Sequence, residues 1–258
     1  MSVPGSHTLD RGGWSLAYTV TGTGPETIVF THGLGSAGSV WAEQVTLLAS
    51  AYRVVTWDMR AHAASGTPAA ACDVATLGED LAAIVGATAS GPAHCVGFSA
   101  GGVLAMRAAI DHPELVRSLI LVGTSSECNA PARARYEAMA EVAARDGGAA
   151  VLRLVGVRAG ESAPPDGVGF AHVARAIGAM HDAPLTKELA DVRCPVLVLV
   201  GEKDPLGVGG SVIIQRACAA SEGASARLEI LPGLRHAVYR EDPAGFSQLL
   251  RAFLTSLR

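Results

Sequence analysis

No Lys- or Arg-rich stripe runs through these 258 residues: 20 basic and 24 acidic side chains are scattered along the chain and leave a net charge of −4. Such a chain lacks the electrostatic footprint of a protein that holds a nucleic-acid backbone or an anionic membrane surface. Long apolar runs are missing as well. The most apolar stretches, such as CPVLVLVG, are far too short to span a bilayer. The amino terminus, MSVPGSHTLDRGG, has neither a basic flank before an apolar core nor a small-residue cleavage site, so no export signal is expected. These absences predict a soluble, cytoplasmic protein whose partner is a small molecule. The five cysteines (Cys72, Cys95, Cys128, Cys194 and Cys218) are odd in number and widely spaced, with no CxxC pair. They read as buried small side chains in a reducing compartment, not as a disulfide frame, a zinc site or a redox couple. No HExxH or other close ligand spacing predicts a metal, no cofactor is expected, and no internal repeat or low-complexity tract is found.

What is present is alternation. Hydrophobic residues make up 49% of the chain and charged residues 17%, enough for a packed core. After an early strand, WSLAYTVTG, expected to be antiparallel, come TIVFTHG, YRVVTWD, AHCVGFS, VRSLILVG, CPVLVLVG and ARLEILPG, each rich in Val, Ile or Leu. Between them SVWAEQVTLLAS, TLGEDLAAIVGAT, AGGVLAMRAAIDHP, SVIIQRACAAS and DPAGFSQLLRAFLTSL carry the three-to-four spacing of amphipathic helices. The pattern predicts an α/β fold with a mostly parallel, doubly wound sheet. It breaks once. Over residues 125–192 the helical stretches ARARYEAMAEVAARDGG, AVLRLVGV and VGFAHVARAIGAM follow one another without a strand, separated by a Gly- and Pro-containing loop, RAGESAPPDGVG. A helical insertion cannot extend the sheet, so residues 1–124 and 193–258 are expected to form the core and 125–192 a small helical cap. That cap is expected over one edge of the sheet or over the carboxyl end of the strands, the end where open α/β sheets bind ligands.

The stretch VGFSAGG sets Ser99 where a strand ends and a helix begins, with glycines two residues to either side. A serine at such a sharp turn has strained backbone angles and lifts its hydroxyl above the sheet. The amide of Ala100, at the first turn of the helix, is then free to face a developing negative charge. G-x-S-x-G also arises by chance as a glycine-rich turn with a capping serine, but here the strand before it and the helix after it are both expected. A serine hydroxyl needs a base, and the base needs a carboxylate. In this kind of sheet the order is Ser, acid, His, each just beyond a later strand. VLVLVGEKDPLG supplies Asp204, and LEILPGLRHAVYREDP supplies His236. A second acid is available: SLILVGTSSEC puts Glu127 after the strand that follows the serine helix, and Asp204 is favoured because it occupies the usual strand-to-helix loop. Of the other histidines, His94 lies at the wrong end of its strand, His112 ends a helix and His7 is near the terminus. His172 and His181 fall in the cap, where an ordinary packed or exposed role is expected. The glycine-rich loop in THGLGSAGSVW offers the amide of Leu34 as a second oxyanion donor, with His32 bracing the loop.

Taken together, HGLGSAGSVW, WDMRAHAASG, VGFSAGG, PVLVLVGEKDP and GLRHAVYREDPAGF resemble the α/β-hydrolase superfamily over nearly the whole chain, most nearly the esterases and lactonases with a short helical cap, such as 3-oxoadipate enol-lactonases. The resemblance implies a serine hydrolase that cleaves a small ester or lactone through an acyl-enzyme on Ser99. The same fold also serves non-hydrolytic or C–C bond-cleaving chemistry in secondary metabolism, and small-molecule receptors with an intact triad. Two departures stand out. Relatives usually read D-x-R-G-H-G-x-S where this chain has DMRAHAAS, so Ala61 and Ala63 replace two glycines; alanine is poorly suited to positive φ, which leaves the shape of this pocket-side loop an open point. Arg235, just before the histidine where a glycine is common, is expected to place a charge beside the pocket.

Overall fold

The structure, a computed structural model, describes residues 5–155, 163–220 and 225–257. Its strands are β1 (Gly5–Asp10), β2 (Ser15–Thr21), β3 (Thr27–Thr31), β4 (Arg53–Trp57), β5 (Ala93–Phe98), β6 (Val116–Val122), β7 (Val196–Gly201) and β8 (Ala226–Leu231). They form one sheet in the order β1-β2-β4-β3-β5-β6-β7-β8, parallel from β4 onward, with β1 and β2 antiparallel. The helices are α1 (Ala42–Leu48), α2 (Val74–Thr88), α3 (Ala100–Asp111), α4 (Ala130–Asp146), α5 (Gly148–Leu154), α6 (Gly167–Gly178), α7 (Gly209–Ala219), α8 (Val238–Glu241) and α9 (Pro243–Thr255).

Period-two alternation divides the core into two layers. Val29, Val55, Cys95, Leu119, Leu121, Val196 and Val198 face the layer that holds α2, α3 and α7. Their sequence neighbours Ile28, Phe30, Val54, Val96, Ile120, Val122, Leu197 and Leu199 face the layer built on Trp41, Phe246 and Leu250. Strands covered on both sides must be apolar throughout, and β3, β5 and β7 are buried at every position. Helix starts follow local capping: Asp73 accepts the Thr76 N–H at 2.7 Å, which moves the start of α2 ahead of the apolar pattern, and Asp242 caps α9 with Pro243 in its first turn. Strand β1 has no counterpart in the sequence-based expectations. GSHTLD is mostly exposed and carries little apolar signal; its pairing with β2 through the Arg11 to Trp14 turn creates it.

Between β6 and β7 lie α4, α5 and α6 and no strand among the described residues. Met139, Ala140, Ala143, Val151, Phe170 and Ala174 form a small apolar cluster that holds these helices together. Val173 and Ile177 of α6 also enter the main core, tying the helices to it. Of the loop expected at RAGESAPPDGVG, residues 158–162 lie outside the described residues, and its last residues, Gly167 to Gly169, are already helical under an Asp166 cap. No helix among the described residues is long and apolar enough to cross a membrane.

The loop after β4 keeps a left-handed backbone despite its alanines, with φ of 62° at Ala61 and 44° at Ala63. Each such residue costs roughly 1–2 kcal/mol relative to glycine, and the surrounding bonds hold it. Asp58 accepts N–H bonds from Gly38 (2.7 Å) and Ala64 (3.1 Å), Ser65 donates to the Asp58 carbonyl, and Arg60 pairs with buried Asp80 at 2.5 Å while lying 5.0 Å over the Trp14 ring. The Asp166 N–H donates to the Ala61 carbonyl at 2.9 Å, and Gly169 of α6 receives the Ala61 methyl. A methyl at position 169 would overlap that of Ala61 and lie 2.6 Å from the Thr67 methyl. Gly169→Ala is therefore expected to lower stability by about 1–3 kcal/mol, and adding Ala61→Gly should recover part of the loss; urea unfolding of both variants checks this.

Candidate active site

Ser99 sits between β5 and α3 with φ 52° and ψ −117°. The turn is that sharp because α3 lies directly on the ends of β3 and β5. A side chain at Gly97 would overlap the Gly101 backbone, and one at Gly101 would come within 2.5–2.6 Å of the His32 and Thr31 carbonyls. Three bonds then hold the strained residue: its N–H donates to the Val122 carbonyl (2.9 Å), and its carbonyl accepts from the Gly102 N–H (2.9 Å) and the Thr124 hydroxyl (2.7 Å). Ser99 itself is half-buried. Ala100 opens α3, so its N–H has no acceptor within the helix.

Asp204 lies in the turn after β7 and His236 in the loop between β8 and α8. The Asp204 carboxylate accepts the His236 Nδ1–H at 2.8 Å and, through its other oxygen, the Leu206 N–H at 2.8 Å. A carboxylate can only accept, so Nδ1 carries a proton, which in the neutral ring leaves the lone pair on Nε2. The ring rests on Phe98, the residue before Ser99, with centroids 4.8 Å apart. Glu127, the alternative acid, is engaged elsewhere: its carboxylate accepts from the Thr186 hydroxyl at 3.0 Å. No hydrogen bond joins the Ser99 hydroxyl to His236 among the described residues; such pairs are often long without substrate and tighten when it binds.

The loop after β3 passes over Ser99: a Cβ at Gly33 would lie 3.3 Å from that of Ser99. His32 braces it. Its Nδ1–H donates to the Gly33 carbonyl at 2.7 Å, and its Nε2 accepts the Met59 N–H at 2.9 Å. The Ser36 N–H meets the same Gly33 carbonyl at 3.1 Å. In a trans peptide the next N–H points opposite to the carbonyl, so fixing the Gly33 carbonyl fixes the direction of the Leu34 N–H. Leu34 packs between the main core and the α4–α6 cluster. Arg235 is exposed and held by its backbone, whose N–H donates to Glu241. Among the described residues no group of three or more His, Cys, Asp or Glu side chains is arranged to hold a metal. A groove of about 710 Å³ along β2, bordered by Tyr18, Thr46 and Trp57, touches none of Ser99, Asp204 or His236.

A family model for the alpha/beta hydrolase fold matches residues 26–156. The chain belongs to the α/β-hydrolase fold family. The family's architecture extends over nearly all of it: the enol-lactonase from Burkholderia xenovorans LB400 superposes with a TM-score of 0.84 over 96% of this chain and 100% of that one, at 23% identity. In sequence, the chain is 27% identical over 247 residues to "Putative carbamate hydrolase RutD" of Rhizobium rhizogenes, covering 89% of this chain and 92% of the relative. It is 25% identical over 196 residues to "3-oxoadipate enol-lactonase 2" of Acinetobacter baylyi, covering 69% and 72%.

Within this α/β-hydrolase fold the structure brings Asp204 to His236 and the His236 ring to Phe98, the residue before Ser99, and it adds one residue that the sequence reading passed over. His62 accepts the Gly35 N–H on Nε2 at 3.0 Å and donates from Nδ1 to the Arg60 carbonyl at 2.8 Å. The only signal of it in the sequence was its position in DMRAHAAS, where attention fell on the alanines beside it. His32 and His62 lie 5.3 Å apart and are both fully buried. Burial pushes His32 down to about 4; burial, helped by neighbouring His32, pushes His62 down to about 3.

Two outcomes are expected. Asp204→Asn should lower turnover about 10⁴-fold with the fold intact, by presenting the wrong tautomer of His236, whereas Glu127→Gln should change it severalfold; assays at one pH with thermal melts check both. The second concerns acid. His32 and His62 have folded pKa values below the ordinary 6.5, so on acidification the unfolded chain takes up protons that the folded chain refuses. Their contribution is complete above pH 6.5 and is lost as pH falls toward about 4 for His32 and about 3 for His62. Each contributes on the order of 1 kcal/mol per pH unit once its unfolded form is charged. Urea unfolding between pH 6.5 and 5 should show this slope, and His62→Gln should reduce it.

Proposed function

We propose that this protein is a serine hydrolase that cleaves a small carboxylic ester or lactone through an acyl-enzyme on Ser99. The observation that carries the reading is the 2.8 Å bond between the His236 ring and Asp204, beside a serine held in a left-handed turn. In the proposed reaction Ser99 Oγ adds to the substrate carbonyl carbon while His236 Nε2 takes its proton. Asp204 stabilises the imidazolium that forms, and the negative oxygen accepts hydrogen bonds from the N–H groups of Leu34 and Ala100. The tetrahedral species then collapses, and His236 returns the proton to the departing alkoxide. In a lactone that alkoxide stays tethered to the acyl group. Water, deprotonated by His236, adds to the acyl-enzyme and releases the acid and Ser99. In this reading the helices between β6 and β7 serve as the cap over this centre, and Leu34, of the loop after β3, packs against their apolar cluster.

A second reading, hydrolysis of a carbamate, is favoured by the name of the Rhizobium rhizogenes relative, which matches across 92% of its length. The addition step is the same, and only the group attached to the carbonyl differs.

A fluorophosphonate should label Ser99 and no other serine, and Ser99→Ala should abolish both labelling and turnover, with a loss on the order of 10⁴ or more. Labelling at Ser65 or Ser211 would remove Ser99 from the mechanism. Comparing p-nitrophenyl esters, γ-lactones and simple carbamates on the labelled-site scale separates the two readings.

A further inference from the structure

We propose that His62 is a positioning residue for the oxyanion hole, a clamp whose ring joins the loop carrying Leu34 to the first turn of α6. The inference rests on the serine-hydrolase reading for its catalytic half, since it assigns to Leu34 the role of oxyanion donor.

The geometry is as follows. Two consecutive peptides orient Leu34. The peptide before it is fixed by His32 and the Ser36 N–H on the Gly33 carbonyl. The peptide after it is fixed by the Gly35 N–H, which donates to His62 Nε2 at 3.0 Å. Gly35 has φ +74° and lies so close to Val155 that a Cβ there would come within 2.8 Å of a Val155 methyl, so this stretch cannot be held by a side chain of its own. The clamp must come from elsewhere. His62 provides it with both ring nitrogens committed: Nδ1–H to the Arg60 carbonyl, Nε2 to Gly35. That assignment requires the neutral ring with its proton on Nδ1, because an imidazolium would turn two N–H groups outward and repel the Gly35 donor.

The other side of the ring meets α6. Phe170 packs on it with centroids 5.7 Å apart. One residue earlier, the Ala61 carbonyl accepts the Asp166 N–H, and the Ala61 methyl fills the space left by Gly169. Residues 61 and 62 thus hold the first turn of α6 and the oxyanion loop at once. Docking of α6 and the direction of the Leu34 N–H become one event, which preorganises the donor before charge develops. His62, between two residues of left-handed backbone, thus lies between these two elements.

The test uses the full chain with p-nitrophenyl acetate and a fluorophosphonate as probes. An asparagine amide at position 62 reaches only the Nδ1 location, so His62→Asn keeps the Arg60 contact and loses the Gly35 clamp. A glutamine amide reaches the Nε2 location and can accept from Gly35. With rates counted per labelled Ser99, His62→Asn is expected to lower kcat roughly 10- to 100-fold, less than the loss of a donor itself, with KM within about twofold and phosphonylation slowed in parallel. His62→Gln should recover most of that loss. A merely structural role would reduce the fraction of labelled sites and leave kcat per site alone; that result, or a raised KM with unchanged kcat, would overturn the proposal. Should both variants fail to fold, ¹⁵N NMR of the wild-type histidines still decides the clamp. A neutral His62 with its proton on Nδ1 from pH 5 to 8, beside a Gly35 amide protected from exchange, is expected, and a ring protonated on Nε2 refutes it. Failure of the hydrolase reading looks different: wild-type Ser99 would resist the fluorophosphonate while the ring tautomer and the Gly35 protection remained.

Discussion

The contact that the rest of the site depends on is the close approach of α3 to the ends of β3 and β5. Backbone meets backbone there, with Gly97 against Gly101 and Gly101 against the Thr31 and His32 carbonyls. At that separation the chain cannot leave β5 by a relaxed turn, so Ser99 is driven into the left-handed region at a cost of order 1–3 kcal/mol. The cost is carried by the bonds to Val122, Gly102 and Thr124, which lie on the next strand, the helix and the following loop. None of these groups can shift without disturbing the sheet. The same crowding brings the loop after β3 across the serine, since Gly33 also lacks a side chain where Phe98 and Ser99 lie beneath it.

A second layer of order is electrostatic and is built from groups that are neutral when buried. His32 and His62 lie side by side, among the described residues no carboxylate is bonded to either ring, and each has both nitrogens matched to backbone groups. Burying a charge there would cost far more than these bonds return, so both rings stay neutral and can accept from amide N–H groups. Charge is placed one step further out, in the Arg60–Asp80 pair that ties the loop to α2. A buried pair of this kind adds little net stability, and its effect is to hold the loop in one arrangement.

Family membership fixes the scaffold, and the relatives differ in the chemistry their names state: a carbamate hydrolase on one side and an enol-lactonase on the other. In this chain Leu34 packs both on the main core and on the apolar cluster of the helices between β6 and β7. That cluster is attached to the core through Val173 and Ile177 of α6.

The amino-acid sequence by itself determined the alternation of strand and helix, because period-two and period-3.6 patterns are local and each buried strand must be apolar on both faces. It also determined the turn at Ser99, since that turn follows from where an apolar run stops and a helical pattern begins. Strand β1 was not legible, because GSHTLD becomes a strand only through its pairing with β2. The choice between Asp204 and Glu127 was open in the chain and became a contact only in three dimensions: residues 204 and 236 meet at 2.8 Å, while Glu127 turns to Thr186. The alanines at 61 and 63 looked like a change of loop shape, yet the loop keeps its left-handed backbone, because Asp58, Ser65, Asp80 and Asp166 together outweigh the preference of two residues. His62 was legible to the sequence only as a letter beside those alanines. Its partners, Gly35 and Phe170, are 27 and 108 positions away, and only tertiary packing brings a hydrogen-bond acceptor and an apolar face together at such separations.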